Sequence, residues 1–325
     1  MLINRAYKRL LSLRLANPGG KGALGLGCTR KVRQHGVAMI VVLWMIMLMM
    51  TLAASLVYAT RTESSMVDYA RRTARARAIA DAAAHYAVMQ LYIPNPKDRA
   101  LQLGGAPLNW QYDGAKVEIR VVGENGLIDI NYANPQLLQA ILKQAGLNEE
   151  ATQRMLAIFE DFRDVDDLRR LNGAEDRDYE REGLPFGAKD APFERIEELQ
   201  QVMGMTPQLY HFMTRFLTVN SGAAGINPML APRQTLLLLA EGDAAKVDAY
   251  LQQRAEAEGR YVQPDFGQAF LDPAQQPLYR MQLRVFTDEN APPYFEERSI
   301  RLRPGQMPPF VNYFRILQAS SAQFE

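Results

Sequence analysis

The 325-residue sequence is poor in the residue types that most often carry catalysis or bind transition metals. It has one cysteine, Cys28, and three histidines, His35, His85 and His211, which lie far apart in the chain. A single thiol excludes an internal disulfide framework and a thiolate metal cage. The GxSxG, HExxH and Walker-type phosphate-binding motifs are also missing. We therefore predict that the protein is not an enzyme.

Acidic residues are missing from residues 1–36, which carry eight Lys or Arg side chains. The rest of the chain carries 29 basic and 36 acidic side chains, so the formal net charge of +1 conceals a basic N-terminal segment ahead of a body with a net charge of −7. Helix pairs in this body resemble helix-hairpin-helix DNA binders. Because an acidic body repels a polyanion, however, we predict no binding to nucleic acid.

Charged residues are missing from residues 37–60. As a helix, residues 37–59 extend about 34 Å, which is enough to cross a bilayer. The apolar core of a cleaved secretory signal is usually shorter, about 7–15 residues, and a buried soluble helix rarely has so long an uncharged run. Because the positive charges precede the span, the N-terminus should stay in the cytoplasm and the body should be exported.

The helical pattern continues beyond the apolar segment. Between Arg61 and Tyr92 the chain has no Gly or Pro, and small or apolar residues recur at steps of three and four. These residues are Met66, Tyr69, Thr73, Ala76, Ala80, Ala84, Ala87 and Leu91. Pro94 and Pro96 then end the pattern. It predicts one helix of some 55 residues, with one half in lipid and the other half packed on a soluble domain.

The remaining patterns predict an α+β fold in which a helical block interrupts a small α/β unit. Residues 116–122 alternate as a strand, and residues 126–130 are predicted to pair with them across a short turn. Residues 279–286 and 295–302 are predicted to form a second hairpin. Predicted helices cover residues 135–142, 151–161, 193–202 and 207–217.

The junction Arg33-Gln34-His35-Gly36, followed at once by the apolar run, resembles the cleavage site of type IV pilin-like proteins. The resemblance implies that a prepilin peptidase cuts after Gly36 and methylates the new N-terminus, Val37. Two positions depart from the pattern of these proteins. Val37 replaces the usual Phe or Met, and Val41 occupies the fifth mature position, where nearly all pilins and pseudopilins carry Glu.

The missing glutamate is informative because an unpaired charge in an apolar environment is costly. In a pilin-like filament, the glutamate of each added subunit neutralises the N-terminal amine of the subunit above it. A subunit with no neighbour above it has no amine to neutralise, so Val41 suits the first subunit, at the tip. This pattern resembles the minor pseudopilin K family of the type II secretion system.

This resemblance implies a long N-terminal helix on a small antiparallel sheet, with a large all-α domain inserted between strands. It implies a minor pseudopilin that initiates or caps the pseudopilus, in the inner membrane with its body in the periplasm. The implied partners are minor pseudopilins I and J, the major pseudopilin and the prepilin peptidase.

The predicted segments are the leader (1–36), the membrane half (37–59) and periplasmic half (60–93) of the helix, the first α/β part (94–130), the inserted helical domain (131–222), and the remaining helical and α/β part (223–325).

Two other classes of protein are alternatives. A single-pass periplasmic receptor or sensor with a metal-stabilised helical domain fits the topology, although residues 1–36 hold no output domain. An anchored hydrolase lacks a nucleophile or acid–base motif.

Residues 160–182 hold ten carboxylates and five arginines. Charge runs are usually solvated, and these carboxylates could simply pair with their own arginines. Calcium, however, takes six to eight oxygen ligands, many of them from carboxylates. Here the resemblance implies a structural calcium site. The matching elements are Asp161-Phe162-Arg163-Asp164-Val165-Asp166, Gly173-Ala174-Glu175, Lys189-Asp190-Ala191-Pro192-Phe193 and Glu198-Leu199; the candidate ligands are Glu175, Asp178 and Asp190, followed by Asp164, Asp166 and Asp176.

Overall fold

The computed structural model describes residues 36–288 and 291–318. The predictions for the leader, Cys28 and the residues that precede Gly36 lie outside the described residues. The chain divides into two compact units, residues 1–65 and residues 66–325.

Helix α1 extends from Gly36 to Leu91 and confirms the predicted long helix. In the first unit, the side chains of residues 37–61 are all exposed. Its most apolar 18-residue window has a mean hydropathy of 2.6, with none of it buried. Because a soluble core helix of that hydropathy would be buried, this segment has the length and composition of a membrane span.

In the second unit, the C-terminal part of α1 packs on a sheet. The contact face is made mainly of alanines, whose small side chains let the helix backbone approach the strands closely. Ala80, Ala83, Ala84 and Ala87 have no solvent exposure. They form one core with sheet residues that include Val117, Ile119, Val121, Met281, Leu283 and Val285. The alanine stripe in the sequence therefore marks the buried face of the helix.

The sheet has five antiparallel strands in the order β1-β2-β5-β6-β7. The strands are β1 (Leu108–Tyr112), β2 (Ala115–Gly123), β5 (Leu278–Phe286), β6 (Tyr294–Leu302) and β7 (Phe310–Gln318). Neighbouring strands β2 and β5 are separated in sequence by the helical block, residues 124–277, which is therefore an insertion between strands of one sheet.

The helical block has its own core and a short parallel pair of strands, β3 (Ile128–Asp129) and β4 (Leu217–Thr218). Its helices are α2 (Pro135–Gln144), α3 (Glu149–Arg163), α4 (Asp176–Arg181), α5 (Pro207–Met213), α6 (Arg233–Leu239) and α7 (Ala244–Glu256). Asn134 and Asn148 cap α2 and α3 by accepting hydrogen bonds from Gln136 N and Ala151 N. The largest fully buried side chains in this core include Tyr179, Phe159 and Phe162.

The predicted pairing of residues 116–122 with residues 126–130 is wrong. Strand β2 pairs with β1 and β5, whereas β3 pairs with β4 at the base of the helical block. A 3₁₀ turn at Glu124–Gly126 leads the chain out of the sheet. Gly126 allows this path because a Cβ there would lie 2.4 Å from the backbone carbon of Leu230.

Other expectations needed smaller corrections. In place of a helix over residues 193–202 there is a 3₁₀ helix at Ile196–Gln201. The helix predicted to reach residue 217 ends at Met213, because Leu217 and Thr218 form β4. The sequence patterns did not predict strands β1 and β7. The domain boundaries remain a prediction.

Strand β6 is buried on both faces although it carries Glu296, Glu297 and Arg298. On the α1 side, Arg298 pairs with Asp81 of the helix and with Glu296, whose side chain has no exposure. Arg315 of β7 donates to Glu296 Oε2 at 2.7 Å and lies 3.3 Å from Asp81. These ion pairs connect the helix to the sheet.

On the opposite face of the sheet, fully buried Glu124 connects the sheet to the helical block. Its Oε2 accepts hydrogen bonds from Thr218 Oγ1 of β4 at 2.6 Å and from Arg280 Nη2 of β5 at 3.2 Å. Its Oε1 accepts one from Ser299 Oγ of β6 at 3.0 Å. One buried carboxylate therefore contacts two strands of the sheet and the base of the block.

We expect Glu296→Gln to lower the free energy of unfolding by about 3 kcal/mol, because it leaves buried Arg298 with the half-exposed carboxylate of Asp81 alone. The matched control is Asp113→Asn, which removes an exposed ion pair between α1 and the β1–β2 turn (Arg75 Nη2 to Asp113 Oδ2, 3.1 Å) and should cost less than about 1 kcal/mol. Urea denaturation measures both values. Equal losses would contradict the account.

Candidate metal centre

The carboxylate-rich segment starts at the end of α3, where the chain doubles back on itself. The carbonyl oxygen of Phe162 accepts hydrogen bonds from the backbone N–H groups of both Lys189 and Asp190, at 3.0 and 3.1 Å. The rings of Phe162 and Phe193 stack with their centroids 5.0 Å apart. Two segments that are nearly thirty residues apart in sequence are therefore held side by side.

The second segment is fixed by further polar contacts. Asn131 Nδ2 donates to the carbonyl oxygen of Phe193, and Phe193 N donates back to Asn131 Oδ1, both at 2.9 Å. Lys189 Nζ donates to the Pro192 carbonyl oxygen at 3.0 Å and pairs with Glu198 Oε2 at 2.8 Å. These contacts therefore hold the Lys189–Phe193 segment and Glu198 in place beside the carboxylates.

The loop between α3 and α4 is anchored by Arg170. Its Nη1 pairs with fully buried Asp161 Oδ1 at 2.9 Å and with Asp164 Oδ2, and its Nε lies 3.0 Å from Glu160 Oε2. Three of the ten carboxylates are therefore partly neutralised by an arginine of the same loop. The interpretation of this segment as self-paired charges holds for these contacts.

Three carboxylate oxygens in the segment are buried and receive no hydrogen bond. They are Asp164 Oδ1, Glu175 Oε1 and Asp190 Oδ1. A buried oxygen with a negative charge and no donor is costly. Such oxygens are the ligands that hard divalent cations prefer.

The carboxyl groups of Glu175 and Asp190 both have raised pKa values. Burial raises the pKa of Glu175 to about 7, and the negative charges of Asp161, Asp164, Asp190 and Asp167 add to the shift. Burial also raises the pKa of Asp190, with further contributions from Asp176, Asp167 and Asp164. In the metal-free protein these groups therefore repel one another.

Two glycines let carboxylates approach the backbone. A Cβ at Gly173 would lie 1.9 Å from Asp161 Oδ2, and a Cβ at Gly187 would lie 1.9 Å from Asp176 Oδ1. Asp176 Oδ1 also accepts a hydrogen bond from Ala188 N at 2.9 Å. Any larger residue at either position would displace a carboxylate.

Among the predicted ligands, Asp164, Glu175 and Asp190 each have a buried carboxylate oxygen without a hydrogen bond. The charges of Asp164 and Asp190 act on Glu175, and the charge of Asp176 acts on Asp190. Asp178 is engaged elsewhere: its Oδ1 pairs with Arg169 and Arg181, and its Oδ2 accepts from Glu175 N. Asp166 is exposed, and its Oδ1 accepts a hydrogen bond from Leu168 N. The sequence prediction did not include Asp167, whose charge acts on both Glu175 and Asp190. Asp167 directly follows the predicted ligand Asp166, and this adjacency could have indicated it.

The cluster fits a hard cation by the chemistry of its free oxygens. Asp164, Glu175 and Asp190 would hold the ion, with Asp167 and Asp176 at its periphery. Among the residues that the structure describes, no three acidic, His or Cys side chains are already arranged as a metal cage. Coordination would therefore require rotation of these side chains toward a common centre.

The long helix packs on a five-stranded antiparallel sheet, and the helical block is inserted between β2 and β5. This arrangement is a pilin-like fold with an inserted helical domain. A family model described as "Type II secretion system (T2SS), protein K" matches residues 119–222, which include the carboxylate cluster. In this region the chain is therefore similar to protein K of the type II secretion system.

Two relatives are similar to this chain in sequence, and one solved structure is similar to it in fold. Type II secretion system protein K of Pectobacterium carotovorum subsp. carotovorum is 26% identical over 273 residues, covering 75% of this chain and 80% of the relative. A putative protein K of Escherichia coli K12 is 25% identical over 205 residues, covering 57% and 62%. A chain in the crystal structure of the GspK-GspI-GspJ complex from enterotoxigenic Escherichia coli has a TM-score of 0.58 at 16% identity, covering 80% of this chain and all of that one.

These similarities support the role of a minor pseudopilin in type II secretion. The structural match confirms the predicted α+β fold. Calcium, the site residues and the processing at Gly36 remain predictions.

Proposed function

We propose that this protein is the tip subunit of the type II secretion pseudopilus, where it initiates or caps assembly. The observation that carries the proposal is Val41 at the fifth position after Gly36. Residues 37–61 form an exposed helical surface with no carboxylate between residues 37 and 60. Within an apolar helix bundle, a subunit without that carboxylate cannot neutralise the amine of a subunit above it.

The helical block supports the same position. It inserts residues 124–277 between neighbouring strands of the sheet, so most of the second unit lies outside the pilin-like core. A subunit stacked inside a filament must leave room for neighbours on both sides, whereas a terminal subunit needs a neighbour on one side alone. The block therefore fits the end of a filament.

The proposal includes the following partners and location. Minor pseudopilins I and J lie next to this subunit, because the solved chain of similar fold comes from a GspK-GspI-GspJ complex. The major pseudopilin extends the filament below them. The span over residues 37–59 holds the subunit in the inner membrane, with the body in the periplasm, until assembly, and the prepilin peptidase cleaves after Gly36 and methylates Val37.

Val41→Glu tests the tip position. The new carboxylate has no amine to pair with at the tip and is costly in an apolar environment, so we expect secretion to fall at least several-fold. Val41→Ala is the matched control and should secrete as well as the parent. The measurement is the amount of exported protein in the medium, with mass spectrometry of the mature N-terminus verifying that methylated Val37 is produced in both variants.

Undiminished secretion by Val41→Glu at equal protein levels would contradict the tip position. An intact leader on the parent protein would contradict the proposed processing and would favour the anchored receptor.

We also propose that the carboxylate cluster holds a structural calcium ion. The ion would supply positive charge to Asp164 Oδ1, Glu175 Oε1 and Asp190 Oδ1, which have no donor. It would thereby hold the loop between α3 and α4 against the Lys189–Phe193 segment. Its role is stability of the helical block.

Calcium added to the chelated full-length protein should raise its free energy of unfolding by about 2.7 kcal/mol at 100 times the dissociation constant. Asp190→Asn and Glu175→Gln should each lose most of this gain. Asp178→Asn is the matched control and should keep it, because arginines and a backbone N–H already occupy the Asp178 oxygens. Thermal unfolding with and without calcium measures the effect.

The same titration has a defined pH dependence. The pKa of Glu175 is raised to about 7 in the metal-free fold, so this group stabilises the fold below its unfolded pKa near 4.5, and that stability is lost as pH rises through 7. Calcium should therefore bind more tightly as pH rises from about 6 to 8, and Glu175→Gln should flatten this dependence. No thermal shift and no bound metal at pH 8 would remove the calcium proposal.

A further inference from the structure

A cavity of about 730 Å³ lies between the sheet and the helical block, away from the carboxylate cluster. Its sheet side includes Arg280, Gln282 and Glu297, and its block side includes Glu197, Gln200 and Tyr210. This volume is typical of ligand sites. Nothing in the proposed pseudopilus role uses it.

Glu297 in the wall of this cavity is an incompletely paired buried carboxylate. The residue is 5% exposed. Its Oε2 accepts one hydrogen bond, from Gln282 Nε2 at 2.9 Å. Its Oε1 receives no hydrogen bond from the described residues and lies 3.8 Å from Arg280 Nε. A buried carboxylate normally has two or more donors, so this oxygen retains the capacity to bind one.

Three carboxyl groups, those of Glu124, Glu197 and Glu297, act on the single guanidinium of Arg280 at this end of the cavity. Arg280 already donates to Glu124 at 3.2 Å, so one guanidinium serves two buried carboxylates. Burial raises the pKa of Glu297, Arg280 opposes that shift, and the charges of Glu124 and Glu197 add to it. Glu197 has one ion pair among the described residues, with Arg195 at 3.4 Å. A further positive charge would therefore be stabilised here.

The other cations in the lining do not fill that role. Arg120 pairs with Glu118 at 2.6 Å, and Arg233 pairs with Asp248 at 2.8 Å. Arg215 is exposed at the α5 side and forms no ion pair within the described part of the chain. His211 is likewise exposed on α5, where its ring packs against Tyr210.

The walls between the acidic end and the opening are largely apolar. They include Val122, Leu127, Ile196, Leu237 and Ile316. An aliphatic stem can bury its methylenes against such walls while a charged end reaches a polar group, as lysine side chains do at protein surfaces. A compact ammonium offers three donors to oxygens of separate side chains, whereas a planar guanidinium is suited to a bidentate pair with one carboxylate.

We propose that this cavity binds a lysine side chain presented by a peptide segment of a partner protein. The ammonium lies between Glu297 and Glu197 and donates to the carboxamide oxygens of Gln200 and Gln282. The four-carbon stem lies against Ile196 and Ile316. This interaction is separate from the proposed tip position and from the calcium cluster.

The test compares two probes, N-acetyl-lysine amide and N-acetyl-norleucine amide, which share the aliphatic stem and differ in the ammonium. They are titrated into the full-length protein in detergent, with the isoleucine methyl groups of Ile196 and Ile316 observed by NMR. The lysine probe should give saturable shifts of these methyls and bind at least five-fold more tightly than the norleucine probe. Equal affinity, or no shift with either probe, would overturn the proposal.

Variants identify the site. Glu297→Gln should weaken the lysine probe about ten-fold and leave the norleucine probe unchanged. Because Glu297 is buried, its substitution could also perturb the fold, so a second variant is made at an exposed position. Gln200→Trp should block the cavity with a bulky side chain. The matched control is Gln208→Trp, an exposed glutamine of the same block that lines a different cavity, and it should bind the probe normally. Normal binding by Gln200→Trp, or equal loss in Gln208→Trp, would contradict the assignment.

Discussion

The structure of the second unit depends on buried charges that must be paired. Strand β6 is covered on both faces, and Glu296 on it and Glu124 beside it have no solvent exposure. Glu296 has both of its arginine partners in position only when α1 and β7 are in place, because Asp81 of α1 pairs with Arg298 and β7 supplies Arg315. Glu124 has all three of its hydrogen bonds only when the helical block is docked, because Thr218 supplies one of them. Helix, sheet and block therefore stabilise one another, since removing any one of them takes a partner away from a buried charge.

The sequence predicted the parts of this fold that depend on local patterns. The length of α1 followed from the absence of Gly and Pro between Arg61 and Tyr92, and its buried face followed from the alanine stripe. The exit of the chain at Glu124–Gly126 was not predictable, because it depends on the close approach of the Leu230 backbone, more than one hundred residues away. Strand β7 was missed because Phe310–Gln318 lacks regular alternation and is recognised by its pairing with β6.

The carboxylate cluster shows the same division. Composition identified the segment, and the resemblance to the protein K family predicted six candidate ligands: Glu175, Asp178, Asp190, Asp164, Asp166 and Asp176. Composition could not separate carboxylates with free buried oxygens from those engaged by arginines. That separation depends on which arginine reaches which carboxylate: Arg170 turns back to Asp161 and Asp164, whereas Arg169 and Arg181 engage Asp178. Such choices are made by tertiary packing.

The tip proposal follows from the same rule that organises the fold, namely that a charge in an apolar environment needs a partner. Inside the body the rule is satisfied by Glu296 and Glu124; in the apolar helix it is satisfied by having no carboxylate at Val41. The most direct measurement of the central claim is the number and position of this subunit in isolated pseudopili, determined by labelling its C-terminus with gold and imaging the filaments. The account predicts one label per filament, at one end. Labels distributed along the length of the filaments would contradict it.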